Sequence, residues 1–487
     1  MRLLRLASVV ATVWYFAWLF APGRVGNPLL YALLVVAELF NLTQAVGFWW
    51  TCARARSRRR LPPPADDPRV DVFIPVYDEP VEIVEATLFA ATRLRGNVDV
   101  WLLDDGASPE MAALAERARA GYIARERHEG AKAGNINHAL ARTSAPFVVV
   151  LDSDHVVDAA FLERTLGHFA DPGVAFVQTP QYYANHRRGG IAAAAWAQQA
   201  LFFGAIARGK DGLGAMFCCG TNVAFRRAAL ESAGGFPTES LTEDFELSIR
   251  LHERGWRSVY VDRVLARGLG PEDMASYVSQ QLRWARGCLS AIPAVLRARL
   301  PLRVRLQYLL STMYFLSGWT LAIYMTLPVV RLLFGAQPLA GASASQFVLH
   351  FAPYYGLALG SVAVAGAGNY TFGAFSLGAA CFWVHVVAGV RTLLRRPGRF
   401  VVTAKQGAGS WQPRAVWPAL FACLVLIAAS LYSLETHLGP GTLNGIAFAA
   451  LHATVLVSGA SGALRLRLRA RNERRREPVD AWAEQGG

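Results

Sequence analysis

Charge is scarce in this chain. Of 487 residues, 17% are Asp, Glu, Lys or Arg, against about 25% in ordinary soluble domains. Acids are scarcer than bases, 35 against 49, which leaves a formal net charge of +14. Cysteine is also sparse: Cys52, Cys218, Cys219, Cys288, Cys381 and Cys423, with no C-x-x-C or zinc-finger spacing. That spacing excludes a structural Cys/His metal site and predicts reduced thiols. The low charge argues against a soluble enzyme. The positive excess argues against a nucleic-acid groove by its position, because the basic residues lie beside apolar runs. "RARSRRR" (54–60), "RRPGR" (395–399) and "RLRLRARNERRR" (465–476) are such flanks. The positive-inside rule accounts for them, and no nucleic-acid partner is expected.

What the chain has in abundance is 53% hydrophobic residues. Apolar runs lie near 7–22, 28–50, 307–334, 346–367, 372–394, 415–434 and 442–463. Most approach the roughly 20 residues that cross a bilayer as a helix. The first run has no clean A-x-A cleavage site and a second run follows at once, so it reads as an anchor rather than a signal peptide. Basic flanks put the chain start, 54–60, 395–405 and the tail on one side of the membrane, the cytoplasmic side. Three crossings between 305 and 394 would violate that parity. The run at 372–394, with His385, Arg391 and several glycines, is therefore expected to lie in the interface as one helix. About six spans remain, at 1–50 (two), 305–367 (two) and 414–464 (two), with interfacial helices at 272–304 and an interfacial stretch at 368–413. A linker covers 51–69, and a basic cytoplasmic tail covers 465–487.

Between 70 and 271 the pattern changes. "VDVFIPV" (70–76), "VDVWLL" (98–103) and "FVVVL" (147–151) are near-continuous apolar runs. They read as parallel strands covered on both faces. Helical stretches at 80–93 and 109–120 complete βαβ units. The expected fold is an α/β, Rossmann-like domain inserted in the membrane helices.

Carboxylates recur where these strands end. "LLDDG" gives Asp104 and Asp105, and "VVVLDSDHV" gives Asp152 and Asp154. Ligands of open α/β sheets bind outside the carboxyl ends of the strands. Two aspartates one residue apart suit a hard divalent cation that also holds phosphates, although a solvated turn would use the same residues. "EGAKAGNINHAL" (129–140) sets Lys132 and small residues ahead of a helical run, which suits a diphosphate. "LTEDFELSIRLHERGW" (241–256) offers Thr242 as an N-cap, with Glu243 and Asp244 in the first turn. Asp244 at a helix start near the sheet edge could act as a general base toward a hydroxyl. "FCCGTNVAFRR" (217–227) supplies an apolar glycine turn. In "SQQLRW" (279–284), Gln280, Arg283 and Trp284 fall at i, i+3 and i+4 and share one helix face.

In this order, "FIPVYDE", "LLDDG", "KAGNINHAL", "LDSDHV", "VQTPQYYAN", "FCCGTN", "LTEDFE", "QQLRW" and "FVVTAK" resemble a processive family-2 glycosyltransferase of the cellulose synthase type over about residues 70–405. The resemblance implies a GT-A catalytic domain that polymerises sugar from a UDP-sugar, UDP-glucose being the expected donor. It implies extrusion of the chain through the protein's own spans in the inner membrane. Tyr77, Glu79 and Asp104 or Asp105 would line the nucleoside pocket, with Lys132 near the diphosphate. Asp152 and Asp154 would hold Mg²⁺ or Mn²⁺, and Asp244 would deprotonate the acceptor hydroxyl for inverting attack. Cys219, Gly220 and Thr221 would border the growing polysaccharide. Gln280 would orient sugar hydroxyls, Arg283 would pair with the leaving diphosphate, and Trp284 would offer the acceptor ring a platform. Phe400, Thr403 and Lys405 would belong to a gating loop over the nucleotide. An accessory subunit on the outer face fits the resemblance.

Two features depart from the bacterial cellulose synthase pattern. Only two N-terminal spans are counted, and the chain ends soon after the last span, so control by cyclic di-GMP through a C-terminal PilZ domain is not expected. "VQTPQYYANHRRGG" also lacks the His after Pro and the Asn-Pro-Asp-Pro of that pattern. The identity of the sugar and its linkage therefore stay open, with β-1,3-glucan, mixed-linkage glucan and mannan as alternatives. A non-processive transferase acting on a lipid or short acceptor is the competing reading.

Overall fold

The computed structural model describes residues 2–126, 128–395, 412–436 and 439–464. Its centre is a sheet of seven strands in the order β3-β2-β1-β4-β7-β6-β8. The strands are β1 (Val70–Val76), β2 (Val98–Asp104), β3 (Gly121–Ala124), β4 (Phe147–Val150), β5 (Val156–Val157), β6 (Val174–Gln178), β7 (Val223–Arg226), β8 (Arg257–Tyr260) and β9 (Ala266–Arg267). β5 and β9 pair separately. The three expected strands lie side by side: β1 runs parallel to β2, with Val70 opposite Val98, and parallel to β4, with Val70 opposite Phe147. Only the insertion of β7, antiparallel to both β4 and β6, makes the sheet mixed.

The apolar runs are continuous because each face of the sheet is covered. Alternate residues of β1 serve opposite layers. Val70, Val72 and Ile74 join Leu88, Leu114 and Phe161 on one side. Phe73 joins Ile136, Val148, Phe225 and Leu247 on the other. The chain leaves β1 toward β2 and enters β4 on the opposite flank. The carboxyl ends of β1 and β4 therefore border the crevice where strand order reverses.

Among the described residues, six helices are long and apolar enough to cross a membrane: Pro28–Ala53, Gly190–Gly212, Leu302–Phe334, Ala344–Ala365, Pro413–Thr436 and Pro440–Leu464. Five coincide with the apolar runs. The membership otherwise differs from expectation. The run at 7–22 forms a shorter apolar helix, Leu3–Leu19, which packs on Ala344–Ala365. Gly190–Gly212 was not expected. It contains Arg208, Lys210 and Asp211, and its middle, Phe202–Ile206, winds as a π-helix.

The stretch at 372–394 is not one helix. It is Phe372–Ala380 and Phe382–Leu393, bent by 43° at Cys381. The two halves have different partners: the first packs on Gly190–Leu201 and Pro440–Leu464, the second on Met274–Ser290 and Leu302–Phe334. One straight helix could not reach both.

The linker after Pro28–Ala53 is fastened to the end of the Gly190–Gly212 helix. Arg58 makes two hydrogen bonds to the buried Asp211, at 2.7 and 2.9 Å. Arg56 lies 3.5 Å from the same carboxylate. Beside it, Lys210 donates to the carbonyl of Gln307 at 3.0 Å and to Ser311 Oγ at 2.7 Å, and Thr51 hydrogen-bonds Gln307. Part of the basic flank is thus used in packing.

Candidate active site

At the carboxyl ends of β1 and β4 opens a cavity of about 390 Å³. Tyr77, Glu79 and Asp105 line it from the β1 and β2 ends, and Lys132, Asp152 and Asp154 from the middle. Cys219, Gly220 and Asp244 form another wall, and Gln280, Arg283 and Trp284 a further one. Residues spread over more than 200 positions of sequence therefore face a single space.

The loop after β1 is tied to the Asp-x-Asp loop through Glu79. Its Oε2 accepts from the Tyr77 N–H at 2.7 Å, and its Oε1 accepts from Ser153 Oγ at 3.0 Å. The two aspartates of "LLDDG" part company. Asp105 faces the cavity and is paired with Arg125, whose guanidinium also donates to the carbonyls of Glu129 (2.7 Å) and Ala131 (2.9 Å). Asp104 is 1% exposed. It accepts from the N–H groups of Gly106 and Ser108, both at 2.7 Å, and from Tyr122 Oη at 2.8 Å. Its oxygens are committed to the turn, so of the pair only Asp105 borders the cavity.

Lys132 is the second residue of the Ala131–Leu140 helix, not a loop residue ahead of it. Its ammonium donates to Asp152 and to the carbonyl of Gly220 at 2.7 Å. Burial alone would lower its pKa. The charges of Asp152 and Glu243 outweigh that and hold it above its usual value. Thr221 is fully buried and does not line the cavity; its Oγ1 accepts from the Asp152 N–H at 2.8 Å. It positions the aspartate instead of bordering an acceptor.

Asp152, Asp154 and His155 each offer a ligand atom, all within 4.8 Å of one another. His155 Nδ1 lies 3.1 Å from Asp154 Oδ1, and Nε2 is buried with no hydrogen-bond partner among the described residues. Two carboxylates and an imidazole gathered within 4.8 Å of one another fit a divalent cation. Sequence reading missed His155. The signal was its place directly after Asp154.

Asp244 lies in the first turn of the Glu243–Glu253 helix, its Oδ1 accepting from the Phe245 N–H at 2.8 Å. Gly220, at φ +80°, faces it; a Cβ there would sit 3.0 Å from Asp244 Oδ2. A glycine is needed both for the left-handed backbone and for the close approach. Partial burial and the neighbouring Glu243 carboxylate push the Asp244 carboxyl up to about 7. A carboxyl with that pKa is suited to proton transfer near neutrality.

Thr242 takes the N-cap position, but its side chain makes no cap bond. Its methyl is wedged against Gly287 of the Met274–Ser290 helix, and Oγ1 is buried without a partner among the described residues. Packing between the two helices has overridden capping. Neighbouring residues with no expected role hold the cavity wall. Gln178 Oε1 accepts from the Cys219 N–H at 2.8 Å, and Gln181 Nε2 donates to the Cys219 carbonyl at 2.9 Å.

The Met274–Ser290 helix begins at Asp273, whose Oδ1 accepts from the Ser276 N–H at 2.9 Å. Tyr277 Oη donates to Gln198 Oε1 at 2.8 Å, and Gln198 Nε2 donates to the Ala374 carbonyl at 2.8 Å. The helix presenting Gln280, Arg283 and Trp284 is thereby tied to the membrane half. Phe400, Thr403 and Lys405 lie outside the described residues.

Comparison with known proteins bears on the family and the fold. Residues 147–363 match the family described as "Glycosyl transferase family group 2". The chain is 32% identical over 451 residues to cellulose synthase 2 of Novacetimonas hansenii, which covers 88% of this chain and 28% of that protein. It is 35% identical over 299 residues to a UDP-forming cellulose synthase catalytic subunit of Xanthomonas axonopodis pv. citri (strain 306), covering 58% of this chain and 41% of that one. The chain thus spans less than half the length of either relative. Among solved structures, a mannosyltransferase from Pyrobaculum calidifontis, in complex with GDP-Man and Mn²⁺, superimposes with a TM-score of 0.54 at 18% identity, covering 75% of this chain and 99% of that one. At that identity the likeness is one of fold, GT-A.

Proposed function

From a chain that carries a family-2 glycosyl transferase domain and is a homologue of the cellulose synthase catalytic subunits, we infer a processive, inverting β-glycosyltransferase. It takes a UDP-sugar, UDP-glucose first, and lengthens a β-glucan that leaves through the membrane helices. The observation that carries this reading is the meeting of three groups in one cavity: the Asp152–Asp154 pair, the Asp244 carboxylate, and the Gln280–Arg283–Trp284 face.

Each group has a chemical task in such a reaction. Asp152, Asp154 and His155 would hold Mg²⁺ or Mn²⁺, which neutralises the diphosphate when bound. Tyr77, Glu79 and Asp105 border the part of the cavity available to the nucleoside. Arg283 and Lys132 offer cationic donors to the leaving phosphates. The indole of Trp284 gives a sugar ring an apolar face, and Gln280 beside it can bond sugar hydroxyls. Asp244 accepts the proton of the acceptor hydroxyl. That oxygen forms a bond to the anomeric carbon, and the bond from that carbon to the phosphate oxygen breaks. UDP departs with the bonding pair, and an α-linked donor gives a β-linked product.

The arrangement supports a catalytic half on the cytoplasmic side of the inner membrane, where UDP-sugars are made. An outer accessory subunit would meet the chain at the far ends of the spans. Incubating the purified protein with UDP-sugars and Mg²⁺ or Mn²⁺ tests the reading. It expects UDP release together with a polymer that glycosidases digest. Release of UDP from none of the donors would overturn it.

A further inference from the structure

The corner between the catalytic half and the Leu302–Phe334 span has two contrasting faces. Residues 295–306 read "VLRARLPLRVRL" and hold four arginines and no acid. The chain turns here, from the Ile292–Arg297 helix through Pro301 into Leu302–Met313. On the inner face Val295, Ala298, Leu300 and Val304 are buried against Phe245 and Ile249 of the Glu243–Glu253 helix. On the outer face Leu296, Leu302 and Leu306 are 56%, 69% and 41% exposed, with Arg297, Arg299 and Arg303 exposed between them.

Water is a poor neighbour for three exposed leucines in a well-packed corner. A bilayer surface is a good one. Leucines enter the acyl region while guanidinium groups stay at phosphate depth. The shape is held from within: Arg305 donates to the Ala298 carbonyl at 2.8 Å, and the Arg299 N–H donates to Glu253 Oε1 at 2.9 Å. Glu253 touches this corner through the Arg299 backbone N–H, and among the described residues no ion pair joins an acid to Arg297, Arg299 or Arg303.

We propose that residues 295–306 form a docking surface for anionic phospholipid headgroups. Arg297, Arg299 and Arg303 would bind the phosphodiester, and Leu296, Leu302 and Leu306 would embed beside it. The bound lipid would lie one side-chain layer from the helix that begins next to Asp244, so the surface would seat that helix on the membrane. An interfacial position for 272–304 follows already from the sequence; neither the glycosyltransferase reading nor the family similarity assigns a site for anionic headgroups there.

The test uses the full chain in phosphatidylcholine nanodiscs carrying a trace of headgroup-photoreactive phosphatidylglycerol, with crosslinked peptides mapped by mass spectrometry. Each arginine near a headgroup is worth about fivefold in association. Crosslinking within 295–306 is therefore expected to exceed that of an equally photoreactive phosphatidylcholine by about tenfold or more. The R297Q/R299Q/R303Q variant should fall to the phosphatidylcholine level, while R297K/R299K/R303K retains the preference. Crosslinking to the lipid-facing Ala344–Ala365 helix should be the same in all three, which controls for folding. Equal yields from the two lipids, a preference that survives the glutamine variant, or competition by soluble glycerol phosphate would each overturn the proposal.

Discussion

At the residue scale, Asp244 carries the largest share of the proposed chemistry. Its carboxyl, pushed up to about 7 by burial and by Glu243, is protonated below that pH and cannot accept a proton. The rate at low substrate concentration, kcat/KM, should therefore rise with pH through about 7, and UDP release measured from pH 5.5 to 8.5 checks this. D244N should lower kcat by about a thousandfold or more with nucleotide affinity little changed. Asp104 predicts the opposite pattern. Removing its carboxylate in D104A leaves the Gly106 and Ser108 N–H groups and the Tyr122 hydroxyl without their acceptor. Stability should fall by about 2–4 kcal/mol, seen as a lower melting temperature, while protein kept folded in the cold still binds nucleotide. The sequence could not separate Asp104 from Asp105. Adjacent residues at a strand end point to opposite faces, and which face holds the cavity depends on strand order. Arg125 was missed for a related reason: an arginine in a loop carries no spacing signal until the fold brings Asp105 near, whereas His155 was signalled by its place directly after Asp154.

At the element scale, the Glu243–Glu253 helix joins the cavity to the membrane half. Asp244 stands at one end. At the other, His252 is buried with Nδ1 2.8 Å from Tyr308 Oη and Nε2 3.1 Å from Ser258 Oγ. Tyr308 belongs to the helix that continues into the Leu302–Phe334 span. Burial pushes the His252 imidazole down to about 4, against about 6.5 in an unfolded chain. Between those values the unfolded chain binds the proton and the folded one does not. Stability from this residue is therefore complete above about pH 6.5 and is lost as the pH falls toward 4, by about 3 kcal/mol at most. H252Q should flatten the decline in melting temperature between pH 7 and pH 4.5 relative to the parent protein. Strands β1, β2 and β4 were legible because near-continuous apolar runs have few other uses in a polar stretch. The break at Cys381 was not legible. Composition gives the apolarity of 372–394, but the bend follows from which neighbours each half meets.

At the scale of the whole molecule, two halves with different solvents are fastened at a seam of buried polar groups. Asp211 is 1% exposed, holds Arg58 and Arg56, and accepts the Tyr260 N–H at 3.0 Å. Loss of one partner from a buried pair costs about 3–5 kcal/mol, because the other charge is stranded. D211A should therefore lower the melting temperature sharply. Adding R58M should recover part of the loss, and thermal melts of the single and double variants in detergent measure the difference. The basic run at 54–60 reads in sequence as a topological signal. The structure adds the packing use, which requires knowing that Asp211 is buried beneath it. The central claim is that one cavity both activates a sugar donor and holds a growing polymer end. Its most direct test is product length: UDP-glucose and divalent metal are supplied to the reconstituted full chain, and the products are sized before and after digestion by linkage-specific glucanases. The account predicts long, glucanase-sensitive chains from the parent protein and none from D244N. Products that stop at a single transferred sugar would contradict it.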